Sequence, residues 1–170
     1  MARILLTQID VHYGFVRIGP KSSWDPSAPG TTAGQENGLI GAALPHVLAI
    51  ITGIHSGQVR FVVTWHDLAP PLDPEDEEIV EISWTVPDET LTIGAFEEFH
   101  DVAMPPGPSR ARFRARGMDA GHELDTSVGS LAPDSYALDL WAAPWAPEEI
   151  IRQTSELAAY SHAHASDESP

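Results

Sequence analysis

The sequence predicts a mainly β fold: a two-sheet antiparallel sandwich of Greek-key or jelly-roll type with one C-terminal α-helix. Two observations predict the sheets. Apolar and polar residues alternate with a period of two along most of the chain, as they do in half-buried strands. Fifteen prolines and thirteen glycines in 170 residues favour many short elements over a few long helices. The helix is predicted from one C-terminal segment, where the apolar spacing becomes that of a helical face.

The strands are predicted, in chain order, from segments that alternate or are rich in β-branched residues. They are RILLTQIDVHYGFVRI (3–18), HVLAIITGI (46–54), VRFVVTWH (59–66), EIVEISWTV (78–86), TLTIGAF (90–96), HDVAM (100–104), SRARFRAR (109–116) and SYALDLWAA (135–143). Between the second and third, HSGQ (55–58) predicts a hairpin turn in which Gly57 supplies a positive φ. Residues 38–54 also fit helical spacing in part, but Pro45 and the β-branched run after it favour strand.

The helix is predicted over residues 147–160. Pro147 suits the first turn, two glutamates follow at the positive end of the helix dipole, and Ile150 and Ile151 begin an apolar face. The remaining segments are predicted to be a disordered tail at 162–170 and long loops at 22–38 and 117–134. The ordered part, residues 1–161, then forms a single domain.

A formal net charge of -16 and the lack of cysteine narrow the classes of function. A negative surface repels nucleic-acid phosphates, so nucleic-acid binding is not expected. Without cysteine there are no disulfides and no thiolate metal sites. The most apolar window, residues 39–54, is interrupted by glycine and proline, and the N-terminus lacks the apolar run of a signal peptide. The sequence therefore predicts a cytoplasmic protein that does not bind a membrane.

Acidic residues are concentrated in one part of the chain. Twelve carboxylates and no lysine or arginine occur between His66 and Asp101. The densest run, LDPEDEE (72–78), contains Asp73, Glu75, Asp76, Glu77 and Glu78. It is either a solvated loop before a strand, as such runs usually are, or a surface for a basic partner, since complementary charge speeds encounter and excludes wrong partners. The alternating pattern of a calcium-binding loop is absent from the run.

Four of the nine basic residues occur at every second position of one segment. They are Arg110, Arg112, Arg114 and Arg116. This spacing, with alanine or phenylalanine between the arginines, predicts a strand whose apolar face points inward. Glu81 and Asp139, in strands of matching period, are predicted to face the arginines as opposite-charge pairs. An anion or partner site is the alternative interpretation.

No catalytic residue, metal site or cofactor is predicted. The eight histidines do not have the spacing of zinc ligands. The sequence contains neither a G-x-S-x-G nucleophile elbow nor a glycine-rich phosphate loop. A hydrolase is not excluded, because acid–base geometry cannot be read from a sequence.

The tryptophans divide into predicted core and candidate surface residues. Trp65 and Trp84 lie in strands and are predicted to be buried. Trp145, in APWAP, is predicted to pack the helix against a sheet. Trp24 lies in the loop 22–38 and is the candidate exposed aromatic, because aromatic side chains on loops often mediate binding.

The order of these segments resembles a known family. The segments are QIDVHYGFVRI (8–18), then a Trp-containing loop, GQVRFVV (57–63), EIVEISWTVPDETLTIGAF (78–96) and FHDVAMPPGPSRARFRARG (99–117). Over about residues 8–141, this order is similar to that of the competence-protein J group of small bacterial proteins, nuclease inhibitors built as β-sandwiches. The resemblance implies a non-enzymatic protein that binds a nuclease or toxin and blocks it.

The predicted function is that of a non-enzymatic protein-binding module with an acidic surface, an inhibitor or immunity protein of a basic nuclease or toxin. The candidate partner-binding residues are Asp73, Glu75, Asp76, Glu77, Glu78, Trp24, Asp119, His122 and Glu123. Two alternatives stay open. One is a small-ligand or carbohydrate-binding sandwich that uses Trp24, and the other is a structural subunit that forms homo-oligomers through exposed strand edges.

Overall fold

The computed structural model describes residues 2–23 and 31–167. The strands in these ranges are β1 (Arg3–Val11), β2 (Phe15–Gly19), β3 (Ile40–Gly41), β4 (Leu48–Ile51), β5 (Ser56–His66), β6 (Glu78–Val86), β7 (Thr90–Gly94), β8 (Phe99–Ala103), β9 (Gly107–Arg116), β10 (Thr126–Ala142) and β11 (Glu149–Arg152). The helices are α1 (Met118–Leu124) and α2 (Glu156–Ala163), with 3₁₀ turns at Lys21–Ser23 and Ala165–Asp167.

These strands form two sheets, which confirms the predicted sandwich. The six-stranded sheet has the order β1-β5-β10-β9-β6-β11, and the five-stranded sheet has the order β3-β4-β2-β7-β8. Among the described strand pairs, β10 with β5 is parallel and the others are antiparallel. The parallel pair departs from the predicted antiparallel pattern. A parallel pair is possible here because four strands and α1 separate β5 from β10 in the chain, which is long enough for a crossover connection.

The core lies between the inner faces of the two sheets. Its largest fully buried side chains are Phe61, Phe113, Ile9, Ile18, Leu39, Ile40, Leu48, Ile50, Ile54, Leu91 and Ile93. Trp84 is buried as predicted, and Trp65 is partly buried against the same cluster. Both sheets contribute to this list, so the apolar faces predicted from the alternation are the faces that are removed from water.

The segment predicted as a single first strand is divided by a tight turn. Tyr13 and Gly14 have φ angles of 61° and 70°, and His12 bridges to Phe15 across them. This turn carries the chain from the six-stranded sheet to the five-stranded sheet. The chain can therefore place apolar side chains of β1 and β2 on opposite walls of the same core.

The prediction of strand for residues 38–54 is confirmed by β3 and β4. The hairpin predicted at HSGQ is wrong, because β4 and β5 belong to different sheets. Gly57 has a positive φ of 145°, as predicted, but its neighbour is β10. A side chain on Gly57 would come within 2.8 Å of the Ser127 carbonyl oxygen. This close approach is where the parallel β5–β10 pairing begins, and β4 pairs instead with β2 and β3.

The predicted helix at 147–160 is wrong in its first half. Glu149–Arg152 form β11 on the edge of β6, and α2 begins only at Glu156. The β-branched pair Ile150 and Ile151 favours an extended chain. The Arg152 guanidinium also ties this segment to residues 73–76, because it donates to the carbonyl oxygens of Asp73, Pro74 and Asp76 at 2.6–3.2 Å. Ser155 is the N-cap of α2, and its hydroxyl accepts the Ala158 N–H at 3.1 Å.

The structure also differs from the predicted loop at 117–134 and the predicted tail at 162–170. The loop predicted at 117–134 contains α1 and the start of β10. Of the predicted disordered tail, residues 162–167 have regular structure: α2 continues to Ala163, a 3₁₀ turn follows at Ala165–Asp167, Ala165 is buried, and its carbonyl oxygen accepts the Thr32 hydroxyl at 3.1 Å. Residues 168–170 lie outside the described residues. Small alanine side chains in SHAHA allow this close packing, which the polarity of the segment did not predict.

Candidate partner-binding surface

The arginines of β9 form a ladder with acidic partners, which confirms that prediction. Arg110 and Arg112 both donate to Glu81, at 3.1 and 2.6 Å. Both arginines are only 6% exposed, because the chain segments around Pro70 and Ala146 cover this face of the sheet and accept further hydrogen bonds from them. The first half of the ladder is therefore an internal structural element.

The second half of the ladder joins β9 to β10 and to the acidic run. Arg114 donates to Asp139 at 2.7 Å and to Asp76 at 2.8 Å, and both carboxylates are nearly inaccessible. Burial by itself would lower the pKa of Arg114, but these two carboxylates outweigh it and raise the pKa. The hydrogen bond to Asp76 likewise raises the pKa of Arg116. His66 Nε2 lies 2.7 Å from Asp139, so that carboxylate has two partners.

An anion site on these arginines is not supported. A shallow pocket of about 370 Å³ has Arg60, Arg114 and Arg116 in its lining. Arg114 and Arg116 are already paired with carboxylates, and Asp76 lines the same pocket. The carboxylates offset the positive charges of Arg114 and Arg116, so Arg60 is the one arginine of the lining without an ion pair among the described residues.

The predicted acidic surface is partly used inside the protein. Asp76 is 4% exposed and Glu78 is fully buried. Glu78 accepts the backbone N–H groups of Thr154 and Ser155 at 2.6–3.2 Å, at the start of α2, and burial raises its pKa. Asp76 and Glu78 therefore do not reach a partner in this conformation.

The other three residues of the run remain accessible to different degrees. Glu75 is 77% exposed and lies 3.0 Å from Arg116. The Glu75 N–H, with Arg116 nearby, lowers the pKa of Asp73, so this carboxylate stays charged. Glu77 is half-buried and accepts the Gly117 N–H at 2.7 Å, immediately before α1. The carboxylates of the run that a partner can reach are therefore those of Asp73 and Glu75, together with the half-buried carboxylate of Glu77.

A groove between α1 and α2 brings together the three predicted residues from the loop after β9. It has a volume of about 770 Å³ and is lined by Asp119, His122, Glu123, Glu156, Leu157 and Tyr160. Asp119 joins the two helices, because its carboxylate accepts the N–H groups of Glu156 and Leu157 at 3.0 Å. Tyr160 is 63% exposed and stacks on His164, with ring centroids 4.1 Å apart. The described residues of the lining include three carboxylates and no lysine or arginine, so the groove is suited to a cationic group beside an aromatic ring.

α1 packs closely against a buried carboxylate of β10. Asp134 is 1% exposed and accepts the Ile54 N–H at 2.9 Å and the Tyr136 hydroxyl. Burial and then Asp134 raise the pKa of Tyr136, which stays neutral and also accepts the Gly53 N–H at 2.6 Å. A side chain at Gly121 of α1 would lie 2.4 Å from the Asp134 carboxyl carbon. The helix therefore rests directly on this network, and the α1 wall of the groove is rigidly positioned.

α2 is positioned by a close contact with the segment before β3. The Gly38 N–H donates to His162 Nδ1 at 3.0 Å, and His162 Nε2 has no hydrogen-bond partner among the described residues. Burial lowers the pKa of His162, against an opposing effect of Glu148. Only neutral imidazole can accept the Gly38 N–H, so the docked helix requires the unprotonated ring.

Acidification is expected to loosen the docking of α2. Because the folded-state pKa of His162 lies below its unfolded value of 6.5, its stabilising contribution is complete above pH 6.5 and is lost as the pH falls through the folded-state pKa. Asparagine at position 162 keeps an acceptor near the position of Nδ1 but does not titrate. We expect the free energy of unfolding, from urea titrations at neutral and mildly acidic pH, to fall more in the wild type than in H162N. H122N, on the exposed side of the groove, should behave like the wild type, and an equal fall in all three proteins would contradict this role.

The structure also reveals an exposed aromatic cluster that the sequence analysis missed. The Tyr13 ring lies 5.8 Å from Phe96 and 5.5 Å from His55, and His12 lies 6.4 Å from Phe96. Tyr13 is 61% and Phe96 54% exposed. These residues come from separate turns, and no local pattern links them. The one feature of the sequence that could have indicated the cluster is the glycine after Tyr13, which favours a tight turn with positive φ.

Trp24 lies outside the described residues. Among the residues that are described, no three His, Asp or Glu side chains converge to hold a metal ion, and no helix is long and apolar enough to cross a membrane.

No family model matches the chain, and no curated protein matches it in sequence. The crystal structure of ComJ from Bacillus subtilis, described as an inhibitor of the DNA degrading activity of NucA, aligns with 84% of this chain and 99% of its own, with a TM-score of 0.62 and 14% identity. The fold is similar to that of ComJ. A second structure, described as crocagin biosynthetic gene J, aligns with 85% of this chain and 99% of its own, with a TM-score of 0.54 and 11% identity. The ComJ-like fold confirms the resemblance predicted from the sequence.

Proposed function

We propose that the protein is a non-enzymatic inhibitor that binds a basic nuclease through the groove between α1 and α2. The observation that carries the proposal is that Asp119, His122 and Glu123 are brought to one concave surface beside an exposed tyrosine. Aromatic side chains and complementary charge are what a tight interface with a cationic protein uses. The ComJ-like fold supports an inhibitor role, because ComJ is described as an inhibitor of a DNA-degrading activity.

The exposed part of the acidic run extends the proposed surface. The pKa of Asp73 is lowered by its hydrogen bond from the Glu75 N–H, and Glu75 is 77% exposed, whereas Asp76 and Glu78 hold the fold together and are left out. A net charge of -16 attracts a cationic nuclease from a distance and repels DNA, so the inhibitor would compete with the substrate for the same basic enzyme surface. Trp24 stays part of the proposed surface on its sequence context alone.

The test is a charge reversal in the groove with a matched reversal elsewhere. The nuclease is captured on the immobilised protein from a lysate of the source cells and then purified. The groove variant E123K/E156K should weaken its binding about tenfold or more and restore DNA degradation in a mixing assay. The control E97K/E149K makes the same change in net charge at exposed sites outside the groove, and it should weaken binding only slightly.

Salt dependence separates a specific groove from general attraction. Binding of the wild type should weaken as salt rises, and the groove variant should show a shallower dependence than the control. Equal losses in the two variants would show that only net charge matters. If no DNA-degrading activity is captured or blocked, the proposed function is wrong.

A further inference from the structure

The chain contains a single asparagine, Asn37, and the residue after it is Gly38. Asparagine followed by glycine is the sequence in which a side-chain amide is most easily lost. Glycine has no side chain to hinder the attack of its own backbone nitrogen on the asparagine Cγ. Neither residue lines the groove between α1 and α2. Their surroundings therefore decide whether this reaction is open to the folded protein.

The side chain of Asn37 is fully buried, and both of its polar atoms have partners. Oδ1 accepts the N–H groups of Leu39 and Ile40 at 3.1 and 2.9 Å. Nδ2 donates to the Glu148 carboxylate at 2.6 Å, and the same carboxylate accepts the Asn37 N–H at 3.1 Å. These hydrogen bonds fix the amide group in one orientation, and its burial keeps water away from Cγ.

The attacking nitrogen, that of Gly38, is held by α2. Its N–H donates to His162 Nδ1 at 3.0 Å. A β-carbon on Gly38 would lie 1.9 Å from the Ser161 carbonyl oxygen, so the backbone of α2 covers this peptide directly. To close a ring on Cγ, the Asn37–Gly38 peptide must rotate and its nitrogen must lose its proton. Both steps are blocked while α2 is docked, because the peptide is packed and its N–H is occupied.

We propose that Asn37 is a deamidation site that α2 shields, and that its modification prevents α2 from docking again. When α2 opens, the Gly38 nitrogen loses its proton to water and attacks Asn37 Cγ. The new N–Cγ bond closes a five-membered succinimide, and the Cγ–Nδ2 bond breaks. Nδ2 leaves as ammonia, which takes up the proton that the Gly38 nitrogen lost. Water then opens the ring at either carbonyl carbon and leaves aspartate or isoaspartate at position 37.

Neither product fits the docked arrangement. Aspartate puts a carboxylate oxygen where Nδ2 donates to Glu148, so two negative charges would meet in a site that is closed to water. Isoaspartate carries the chain through Cγ, which adds a carbon to the backbone and displaces the Gly38 N–H from His162. Refolding does not restore the amide, so the reaction runs in one direction. The α2 wall of the groove then loses its support.

The test of shielding is mass spectrometry of the full chain incubated at neutral pH. Because the chain has one asparagine, a gain of about one dalton in the peptide that holds residue 37 measures the reaction. The folded protein should react about a hundredfold or more slowly than the chain unfolded in urea, since only the open form reacts. Urea below the unfolding transition should already speed the reaction, with a slope smaller than that of global unfolding, because α2 opens without the rest of the fold.

A pair of histidine variants tests whether α2 is the shield. H162A removes the acceptor of the Gly38 N–H and should raise the deamidation rate about fivefold to tenfold, the worth of one hydrogen bond. H122A removes the same ring from an exposed position on α1 and should leave the rate unchanged.

Hydrogen exchange tests the consequence of the modification. The amides of Glu156–Ala163 should exchange faster in N37D than in the wild type, and wild-type protein that has gained the extra mass on storage should show the same change. The stored protein gives the comparison even if N37D does not fold. These measurements need no nuclease, so this inference and the proposed function can fail independently.

The shielding is overturned if the folded chain reacts as fast as the unfolded one, if the rate rises only with global unfolding, or if H162A leaves the rate unchanged. A chain that gains no mass even when it is unfolded shows that position 37 is not a deamidation site. Unchanged exchange of α2 in the deamidated protein overturns the effect on docking. A slow reaction in the folded chain, faster in H162A but not in H122A, together with faster exchange of α2 after deamidation, supports the whole proposal.

Discussion

Replacement of Arg114 by methionine is expected to lower the free energy of unfolding by about 3 kcal/mol, the low end of the cost of removing one partner from a buried ion pair. Arg114 joins Asp76 and Asp139, which are 4% and 3% exposed. Without the guanidinium, both carboxylates stay buried with one partner fewer. The loss is not larger because Arg116 still reaches Asp76 and His66 still contacts Asp139. Urea denaturation at neutral pH, followed by tryptophan fluorescence, measures it.

The matched control is the same substitution two residues later. Arg116 is 39% exposed at its side chain, and its additional partners, Asp73 and Glu75, are accessible to water. R116M should therefore cost no more than about 1 kcal/mol, as exposed ion pairs do. Equal losses for R114M and R116M would mean that burial does not distinguish these two arginines of the second half of the ladder, and the stabilising role assigned to the buried pairs of Arg114 would have to be withdrawn.

Gly38→Ala is expected to detach α2 from the segment before β3. A β-carbon at this position would lie 1.9 Å from the Ser161 carbonyl oxygen, which is backbone and cannot move alone. Gly38 and α2 must move apart, and the hydrogen bond from the Gly38 N–H to His162 is then lost. The expected loss in the free energy of unfolding is about 1–3 kcal/mol, typical of overpacking, and is limited by the cost of undocking the helix.

Amide hydrogen exchange measures which part of the fold is loosened by the G38A substitution. The amides of Glu156–Ala163 should exchange faster, while those of β9 and β10 should be unaffected. Ser161→Ala is the control, because the close contact is to the backbone carbonyl and does not involve the Ser161 side chain. S161A should stay within about 0.5 kcal/mol of the wild type. Unchanged exchange in α2 of G38A would show that the contact does not hold the helix.

The elements that could be predicted from the sequence are those set by local alternation. The arginines of β9 face one side because successive strand residues point to opposite faces, and Glu81 and Asp139 face them because their own strands have the same period. The predicted helix failed at residues 149–152 for a tertiary reason. The unpaired edge of β6 offers hydrogen bonds to an extended chain, which outweigh a local helical pattern.

The candidate site could be predicted only in part. Asp119, His122 and Glu123 were identified, but as loop residues, and the groove that unites them also needs α2. Nothing local distinguishes Asp76 from Glu75 in the run LDPEDEE. The difference arises because two arginines from β9 reach Asp76 and bury it, whereas Glu75 meets only Arg116 and stays 77% exposed.

The sequence by itself determined the sandwich class, the C-terminal location of a helix and the charged ladder across β9. These features follow from side-chain spacing within single segments, which is a property of the local chain. Only the tertiary structure decided the parallel pairing of β5 with β10, the buried or exposed state of each carboxylate, and the exposure of Trp145. These depend on which distant segments meet, because the cost of burying a charge or an indole is set by the partners that surround it and not by its neighbours in sequence.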